Sequence, residues 1–310
     1  MEKNFEIGRY CVVYIDLMGH KRFLSELDKC ANSAERQRRV NSISEPLYLF
    51  KRGVKKRASE TMRMVREQMK EKVDARDLAS MLKMIDNISF GVQQFSDSTL
   101  IYVKMNSIAS FVALLMIVEF VVFRMLDCVG NEVPLRGGIS IGQGWVVDEN
   151  CLCGKAIAEA YNLESKISDW GRITVSDSVV SELRELRSFC ENTPRCNLGA
   201  LVRPLWEVIG KDIDGVWFLD YLNPAVEELY KREHFDINWF AERIQRGKDF
   251  IDGKICEFSR LASSDLESAR LALRYEIMRE YWMSRIAMWG EHAERLKSVG
   301  DVLKVEGGGR

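Results

Sequence analysis

Two aspartates stand where acidic side chains can bind a metal ion. Asp16 follows the apolar run Tyr10–Ile15 and precedes Gly19, and Asp97 lies at the turn of a hairpin predicted over Ile88–Met105. Hard divalent cations take oxygen ligands, commonly one or two carboxylates together with the phosphates of a substrate. The two carboxylates together therefore indicate a site for a metal-bound phosphate, although either aspartate alone is better explained as an ordinary residue at the junction of a strand and a turn.

Composition narrows the class of protein that carries these aspartates. The 310 residues can bury a sizeable core, and a formal net charge of -1 gives no general basic field for nucleic acid. Eight cysteines without regular paired spacing predict a reducing, cytoplasmic setting. The apolar run Ile108–Phe123 is interrupted by Glu119 and is shorter than the roughly 20 residues that span a bilayer. We therefore expect neither a nucleic-acid partner nor a membrane partner.

The apolar periodicity predicts an α+β chain in the order β-α-α-ββ-α-ββ-α-β. This order is typical of an α/β sandwich with a mostly antiparallel sheet and a ferredoxin-like core. We expect one domain over residues 1–230 and a helical C-terminal extension, packed on the core, over residues 231–310. Besides the two segments above, the predicted elements are a helix over Lys21–Asp28, charged helical residues 33–83, a helix over 107–127, a strand pair over Val133–Val147, a helix over Cys153–Ile167, and strands over Arg172–Ser176 and Gly215–Asp220.

Four short segments occur in one order along the chain: Ile15–Gly19, Phe95–Asp97, Leu135–Gly142, and Cys151–Gly154 continuing through Leu163–Ser165. As an ordered set they resemble the class III nucleotide cyclases over about residues 8–180. The charged helical C-terminal region and the strand Val216–Tyr221 look like the bacterial anti-phage pyrimidine cyclases of that superfamily. The resemblance implies a class III cyclase fold and conversion of UTP to 3′,5′-cyclic UMP and diphosphate.

The resemblance also assigns a metal site. Asp16 and Asp97 match the two metal-binding aspartates of these cyclases, and Leu17 matches the residue that lends its backbone carbonyl to the second ion. The implied cofactors are two Mn²⁺ or Mg²⁺ ions, about 3.5–4 Å apart. Backbone amides at the start of a helix are expected to bind the phosphates. They are the amides of Met18, Gly19 and His20.

The base-reading positions depart from both purine-specific patterns. Gln93 stands where adenylate-specific relatives carry a Lys that contacts the base, and where guanylate-specific relatives carry a guanine-reading Glu. Cys151 stands where the adenylate-specific relatives carry an adenine-reading Asp, as it does in guanylate-specific relatives. Because Gln can donate or accept a hydrogen bond, it suits either uracil or cytosine. Tyr48 or Phe95 would fill the space that a small base leaves. UTP is favoured narrowly, and CTP remains an alternative substrate.

The positions that hold the transition state in these cyclases carry different residues in this chain. Relatives place an Asn and an Arg four residues apart on one helix, and the matching positions here are Ala158 and Asn162. One turn later, Asn162 and Lys166 repeat the i, i+4 relation on a helix face and are candidates for a displaced catalytic pair. Arg136, or the basic cluster Lys51–Arg57, is expected to contact the phosphates.

The metal positions and the base-reading positions meet only between subunits in the class III arrangement. We therefore expect a homodimer with two equivalent sites at the subunit interface, a nucleoside triphosphate as substrate, and a separate effector that senses the cyclic nucleotide. The C-terminal helices are a candidate regulatory element. Two other functions stay open: a catalytically weak nucleotide-binding module, and a dinucleotide-forming enzyme, although Gln94–Ser98 replaces the Gly-Gly-Asp-Glu-Phe hairpin of the latter.

Overall fold

A computed structural model of the chain describes most of the segments that surround the two aspartates. The described residues are 5–19, 27–41, 90–95, 97–105, 109–148, 151–192, 205–227 and 237–307, with single positions at 44, 45, 48, 53, 63, 83, 88 and 203. Most of the predicted helix over Lys21–Asp28 and most of the predicted helical residues 33–83 lie outside them, although residues 33–41 are helical.

An eight-stranded sheet forms the centre of the described structure. Its order is β2-β3-β1-β4-β6-β8-β7, with β5 paired to β4. All pairs are antiparallel except β4 with β6. This mixed, mostly antiparallel architecture agrees with the predicted class, while the ferredoxin-like core stays a prediction. The strands are β1 Ile7–Leu17, β2 Phe90–Phe95, β3 Ser98–Lys104, β4 Leu135–Asp148, β5 Cys151–Gly154, β6 Ile173–Val175, β7 Ile209–Lys211 and β8 Trp217–Leu219.

Long helices cover the two faces of this sheet. They are α1 Ala109–Gly130, α2 Lys155–Lys166, α3 Asp177–Asn192, α4 Ile237–Leu261 and α5 Leu266–Gly307. The apolar α1 is buried in the main core. Within the described residues, no helix has the length and apolar character needed to cross a membrane.

Side chains of β1 alternate between two faces of the sheet, as a period of two requires. Cys11, Val13 and Ile15 point to the back face and join the main core with α1, α3, α4 and α5. Tyr10 and Val12 point to the front face and join a smaller core cluster with Ala156 and Ala160 of α2. The next front-face positions of β1 are Tyr14 and Asp16, so the same alternation that builds the core delivers Asp16 to the front face.

The predicted strand pair over Val133–Val147 is wrong, because these residues form the single long strand β4. Its glycines do not bend the chain back; they make room for neighbouring backbone. On the front face, a Cβ at Gly138 would lie 2.3 Å from the carbonyl oxygen of Ala160, and one at Gly142 would lie 3.2 Å from the Ala156 nitrogen. Between them, the Ser140 hydroxyl donates a hydrogen bond to the Ala156 carbonyl at 2.6 Å. The row Gly138, Ser140 and Gly142, called the glycine row below, therefore holds α2 at backbone distance from β4.

The helix predicted over Cys153–Ile167 is α2, but it begins later than expected. Cys153 and Gly154 belong to β5, and Gly154 has a φ of 132°, a conformation that glycine adopts without strain. The sequence pattern did not predict α3 or β7. The predicted domain boundary at residue 230 falls among residues that are not described.

The C-terminal helix α5 is joined to the sheet through a buried carboxylate. Asp220, just after β8, accepts a hydrogen bond from the Tyr281 hydroxyl at 2.8 Å and a bifurcated one from the single Arg285 Nε–H, at 2.9 and 2.8 Å to its two oxygens. Beside it, Trp282 Nε1 donates to the Tyr221 hydroxyl at 3.2 Å, and Trp282 is fully buried. Because α5 completes the back-face core, removing it would expose apolar surface of the sheet.

We predict that Gly138→Ala destabilises the protein by about 1–3 kcal/mol, because the added methyl group has no space between β4 and α2. Gly290→Ala is the matched control, since nothing lies within 4 Å of the position that its added methyl group would take. Replacing an exposed helical glycine stabilises by about 0.5–1 kcal/mol. Urea denaturation of both variants measures the two effects. Equal effects of the two substitutions on the free energy of unfolding would contradict the close packing of α2 on β4.

A second prediction concerns the attachment of α5. Asp220→Asn should lower the free energy of unfolding by about 3 kcal/mol, because it leaves Arg285 without its carboxylate partner. The control is Asp249→Asn, which removes an exposed carboxylate bound to Gln245 and should change stability by less than about 0.5 kcal/mol. Thermal unfolding followed by circular dichroism gives both values. A wild-type midpoint for Asp220→Asn would show that the contact does not hold α5 to the sheet.

Candidate active site

The sheet register places four side chains in one row at an end of the front face. Asp16 of β1 is paired with Arg136 of β4, and Phe95 of β2 is paired with Ser98 of β3. Ser98 and Asp16 complete the row through a hydrogen bond of 2.9 Å from the serine hydroxyl to Asp16 Oδ1. The row is therefore Phe95, Ser98, Asp16 and Arg136, and its polar members adjoin one another.

Asp97 occupies the turn between β2 and β3, directly before Ser98. Burial is the main cause that raises the pKa of Asp16, and the charge of Asp97 raises it further, so the two carboxylates lie within electrostatic reach of each other. Such proximity is costly unless a cation lies between or beside them. The structure thus brings together the two aspartates that the sequence pattern proposed as a pair.

A third carboxylate belongs to the same cluster. Glu164, in the last turn of α2, lies 2.9 Å from Arg136 Nη2, and the same nitrogen lies 3.3 Å from Asp16 Oδ2. The Glu164 side chain is only 3% exposed. Because the glycine row fixes α2 against β4, Glu164 is delivered from the helix to the front-face row. We call Asp16, Asp97, Glu164 and Arg136 the carboxylate cluster.

The electrostatics of the cluster favour an additional cation. Burial raises the pKa of Asp16, while hydrogen bonds and charge from Ser98 and Arg136 act in the opposite direction. Burial also raises the pKa of Glu164 to about 7, against the opposing effect of Arg136, and both aspartates add to the rise. Three carboxylates lie near one guanidinium, and a bound divalent ion would reduce the smaller part of these shifts that the neighbouring aspartates cause.

The donor set fits a hard divalent ion with few protein ligands. Among the side chains that the structure describes, no group of three or more His, Cys, Asp or Glu residues is arranged to hold a metal ion. The donors expected from the sequence are fewer: the carboxylates of Asp16 and Asp97 and the backbone carbonyl of Leu17. Mg²⁺ commonly binds through one or two carboxylates and completes its shell with waters and substrate phosphates.

The segment after Asp16 differs from the expected phosphate-binding helix start. The side chains of Leu17 and Met18 lie in the back-face core. The Met18 amide donates to the Pro134 carbonyl at 2.9 Å, so in this structure it is not directed at a phosphate. Gly19 has a φ of 86° and forms a turn, which leaves its surroundings open. His20 lies outside the described residues.

The proposed base-reading residues lie apart from each other within one chain. Gln93 is on the front face of β2, opposite Leu100, and is 8% exposed. Cys151 lies opposite Asp148, at the end of β4 that is remote from Arg136. At about 3.3 Å per residue along β4, that separation is roughly 40 Å. One chain therefore cannot bring Cys151 to Asp16.

The remaining candidates are exposed. Asn162 and Lys166 share a solvent-facing side of α2, away from the sheet. Tyr48 and Phe95 are 61% and 52% exposed, and Phe95 ends the front-face row beside Ser98. The basic cluster Lys51–Arg57 lies almost wholly outside the described residues.

Three residues of the site were missed by the sequence pattern. Glu164 continues the buried face of Ala156 and Ala160 at spacings of four, which was a usable signal because a carboxylate rarely continues an apolar helix face. Ser98 holds Asp16, and Tyr14 contacts the same serine. Burial raises the pKa of Tyr14, so its hydroxyl stays protonated at neutral pH.

Comparisons with known proteins give little further information. No protein-family model matches the sequence, and no curated protein matches it. The solved structures to which the chain is similar include the crystal structure of the guanylyl cyclase Cya2, with a TM-score of 0.30 and 13% sequence identity. That alignment covers 58% of this chain and 80% of the cyclase chain. A likeness of this degree assigns no activity, so the functional argument rests on the residues of the site.

The raised pKa of Glu164 leads to a prediction about pH. Because the folded state holds the Glu164 proton up to about pH 7, against an ordinary value of 4.5, stability from this group is present at low pH and is lost as pH rises between those values. In metal-free buffer, Glu164→Gln should therefore gain stability relative to wild type as the pH rises from 5 to 8. Urea denaturation at each pH, with exposed Glu191→Gln as control, measures the difference. A constant difference across this range would contradict the shift.

Proposed function

We propose that this protein is a divalent-metal-dependent nucleotide cyclase that converts UTP to 3′,5′-cyclic UMP and diphosphate. The observation that carries the proposal is the convergence of Asp16 and Asp97 at one end of the front face, beside Arg136. Two acidic side chains next to a guanidinium suit a metal-bound triphosphate. The ordered segments that resemble class III cyclases supply the reaction type.

The reaction joins the ribose 3′ oxygen to the α-phosphorus and breaks the bond from that phosphorus to the bridging oxygen of the β-phosphate. The 3′ hydroxyl loses its proton to solvent, and diphosphate leaves with the electron pair of the broken bond. Divalent ions held by Asp16, Asp97 and the Leu17 carbonyl would activate the hydroxyl and neutralise the leaving group. Most of the catalysis in such phosphoryl chemistry comes from positioning and charge neutralisation.

Ser98 and Arg136 fix the orientation of the Asp16 carboxylate. Ser98 donates to Oδ1 of Asp16, while Arg136 contacts Oδ2, so both carboxylate oxygens have fixed directions. Arg136 is well placed to contact a phosphate oxygen, because a guanidinium matches phosphate geometry with two parallel N–H groups. It is our candidate for the cation that the missing helix Arg would otherwise supply.

The choice of base rests on Gln93, whose amide can present a donor or an acceptor to a pyrimidine. Phe95, exposed at the end of the same face, offers an aromatic surface for a base. UTP is our first candidate, and CTP is the alternative that the same residues permit.

A homodimer is part of the proposal. Asn162 and Lys166 face away from the sheet of their own chain, and Cys151 lies far from its own Asp16. A two-fold partner would bring these residues to the other chain's aspartates and create two equivalent sites. The resemblance to anti-phage pyrimidine cyclases adds a biological role, in which the cyclic nucleotide activates a separate effector during infection.

Incubation with each of the four nucleoside triphosphates and Mn²⁺, followed by mass spectrometry, tests this function. We expect cyclic UMP from UTP and no product without a divalent ion. Asp97→Ala should abolish the product while the protein stays folded, because a carboxylate in a turn serves the site and not the core. Exposed Asp249→Asn is the matched control and should retain full activity.

Other outcomes identify the alternatives. Cyclic CMP from CTP would keep the cyclase and change the base. A dinucleotide product would point to the related two-metal enzymes, and nucleotide binding without product would indicate a binding module. Activity of Asp97→Ala with unchanged metal dependence would overturn the proposed site.

A further inference from the structure

Arg136 has two acidic partners that belong to different parts of the fold. Asp16 is on β1, next to Arg136 in the sheet, whereas Glu164 comes from α2 above the sheet. The shorter distance is the ion pair with Glu164, at 2.9 Å, whereas the hydrogen bond from Arg136 Nη2 goes to Asp16 Oδ2 at 3.3 Å. Glu164 is also the more buried of the two carboxylates, with 3% of its side chain exposed against 15% for Asp16.

The hydrogen bonding of this pair is incomplete. Arg136 Nε and Glu164 Oε1 are buried and make no hydrogen bond of normal geometry with any atom in the described part of the chain. Buried polar groups are nearly always satisfied, so an unsatisfied pair at a charged site points to a ligand or to a second arrangement of the side chains. Arg136 retains about a fifth of its side chain in contact with solvent, at 21% exposure.

We propose that Glu164 is a positioning residue that holds Arg136 beside the aspartates without letting it neutralise Asp16. This inference rests on the proposed function, because it assumes that Asp16 binds a divalent ion and that Arg136 meets a phosphate. With Arg136 anchored by Glu164, Asp16 can give its charge to the metal ion, and the guanidinium remains at the site.

The close packing of α2 on β4 fixes the position of Glu164 relative to Arg136. Ala160, one turn before Glu164, lies against Gly138, where a Cβ would come within 2.3 Å of the Ala160 carbonyl oxygen. Gly138 is two residues from Arg136 on the same face of β4, so helix and strand are fixed to each other directly beside the ion pair. Partners of this kind orient a metal site without touching the metal.

Loss of the Glu164 carboxylate would change the pairing of the Arg136 guanidinium. In Glu164→Gln the guanidinium would have Asp16 as its nearest carboxylate, and the Arg136–Asp16 pair would strengthen. A divalent ion would then have to displace Arg136 before it could bind. In Arg136→Met the competitor is absent, and metal binding should be at least as tight as in wild type.

Calorimetric titration with Mn²⁺ alone, at pH 8 where Glu164 is ionised, tests this coupling in wild type, Glu164→Gln, Arg136→Met and the double variant. We expect Glu164→Gln to raise the Mn²⁺ dissociation constant by about 10-fold or more. In the Arg136→Met background the same substitution should change it by less than about twofold, because Glu164 acts through Arg136. With saturating Mn²⁺, diphosphate should bind more weakly to both single variants.

Two results would overturn the inference. One is an unchanged Mn²⁺ affinity in Glu164→Gln, and the other is an equal effect of Glu164→Gln in both backgrounds, which would mean that Glu164 acts on the metal directly. If Glu164→Gln does not fold, the Mn²⁺ affinity of Arg136→Met is the test. Weaker Mn²⁺ binding in that variant would contradict the proposal that Arg136 competes with the metal ion for Asp16. The proposed function is tested separately: coupling without cyclic product would reject the cyclase, and cyclic product without coupling would reject only the role of Glu164.

Discussion

The close approach of α2 to β4 is the constraint on which the rest of the site depends. A helix normally packs on a sheet through side chains, but here Gly138, Ser140 and Gly142 let backbone meet backbone. The carboxylate of Glu164 is thereby carried into the front-face row and out of solvent. The helix buries an acidic group at the one end of the sheet where two aspartates already lie, and the cost of that burial is offset only in part by Arg136.

The carboxylate cluster carries more negative than positive charge. Stabilising a fold alone would favour an equal number of acidic and basic groups, because buried like charges repel. The carboxylate cluster instead keeps three acids against one guanidinium, and the pKa values of Asp16 and Glu164 are raised mainly by burial and further by the neighbouring aspartates. Clusters of this kind occur at functional sites, where a ligand supplies the missing charge. The excess of negative charge is the reason for proposing a cation at this position.

The sequence predicted the parts of this structure that depend on local pattern. The apolar run before Asp16, the hairpin around Asp97 and the two helices α1 and α2 have clear periods and were found. The long strand β4 was wrongly divided, because glycine in a strand indicates a bend unless the neighbouring helix is known. Glu164 was not predicted as a site residue for a related reason, because its partner Arg136 is distant in the sequence. The two side chains meet only because of the sheet register and the close packing of α2 on β4.

The attachment of α5 has a consequence for the order in which the site can form during synthesis. Asp16, Asp97, Arg136 and Glu164 all leave the ribosome before Tyr281, Trp282 and Arg285, which close the back-face core around Asp220. Until those residues emerge, Trp170 and Phe218 lack their ring contacts with Tyr281. A nascent chain therefore contains every acidic group of the carboxylate cluster before α5 can bind Asp220 and close that part of the core.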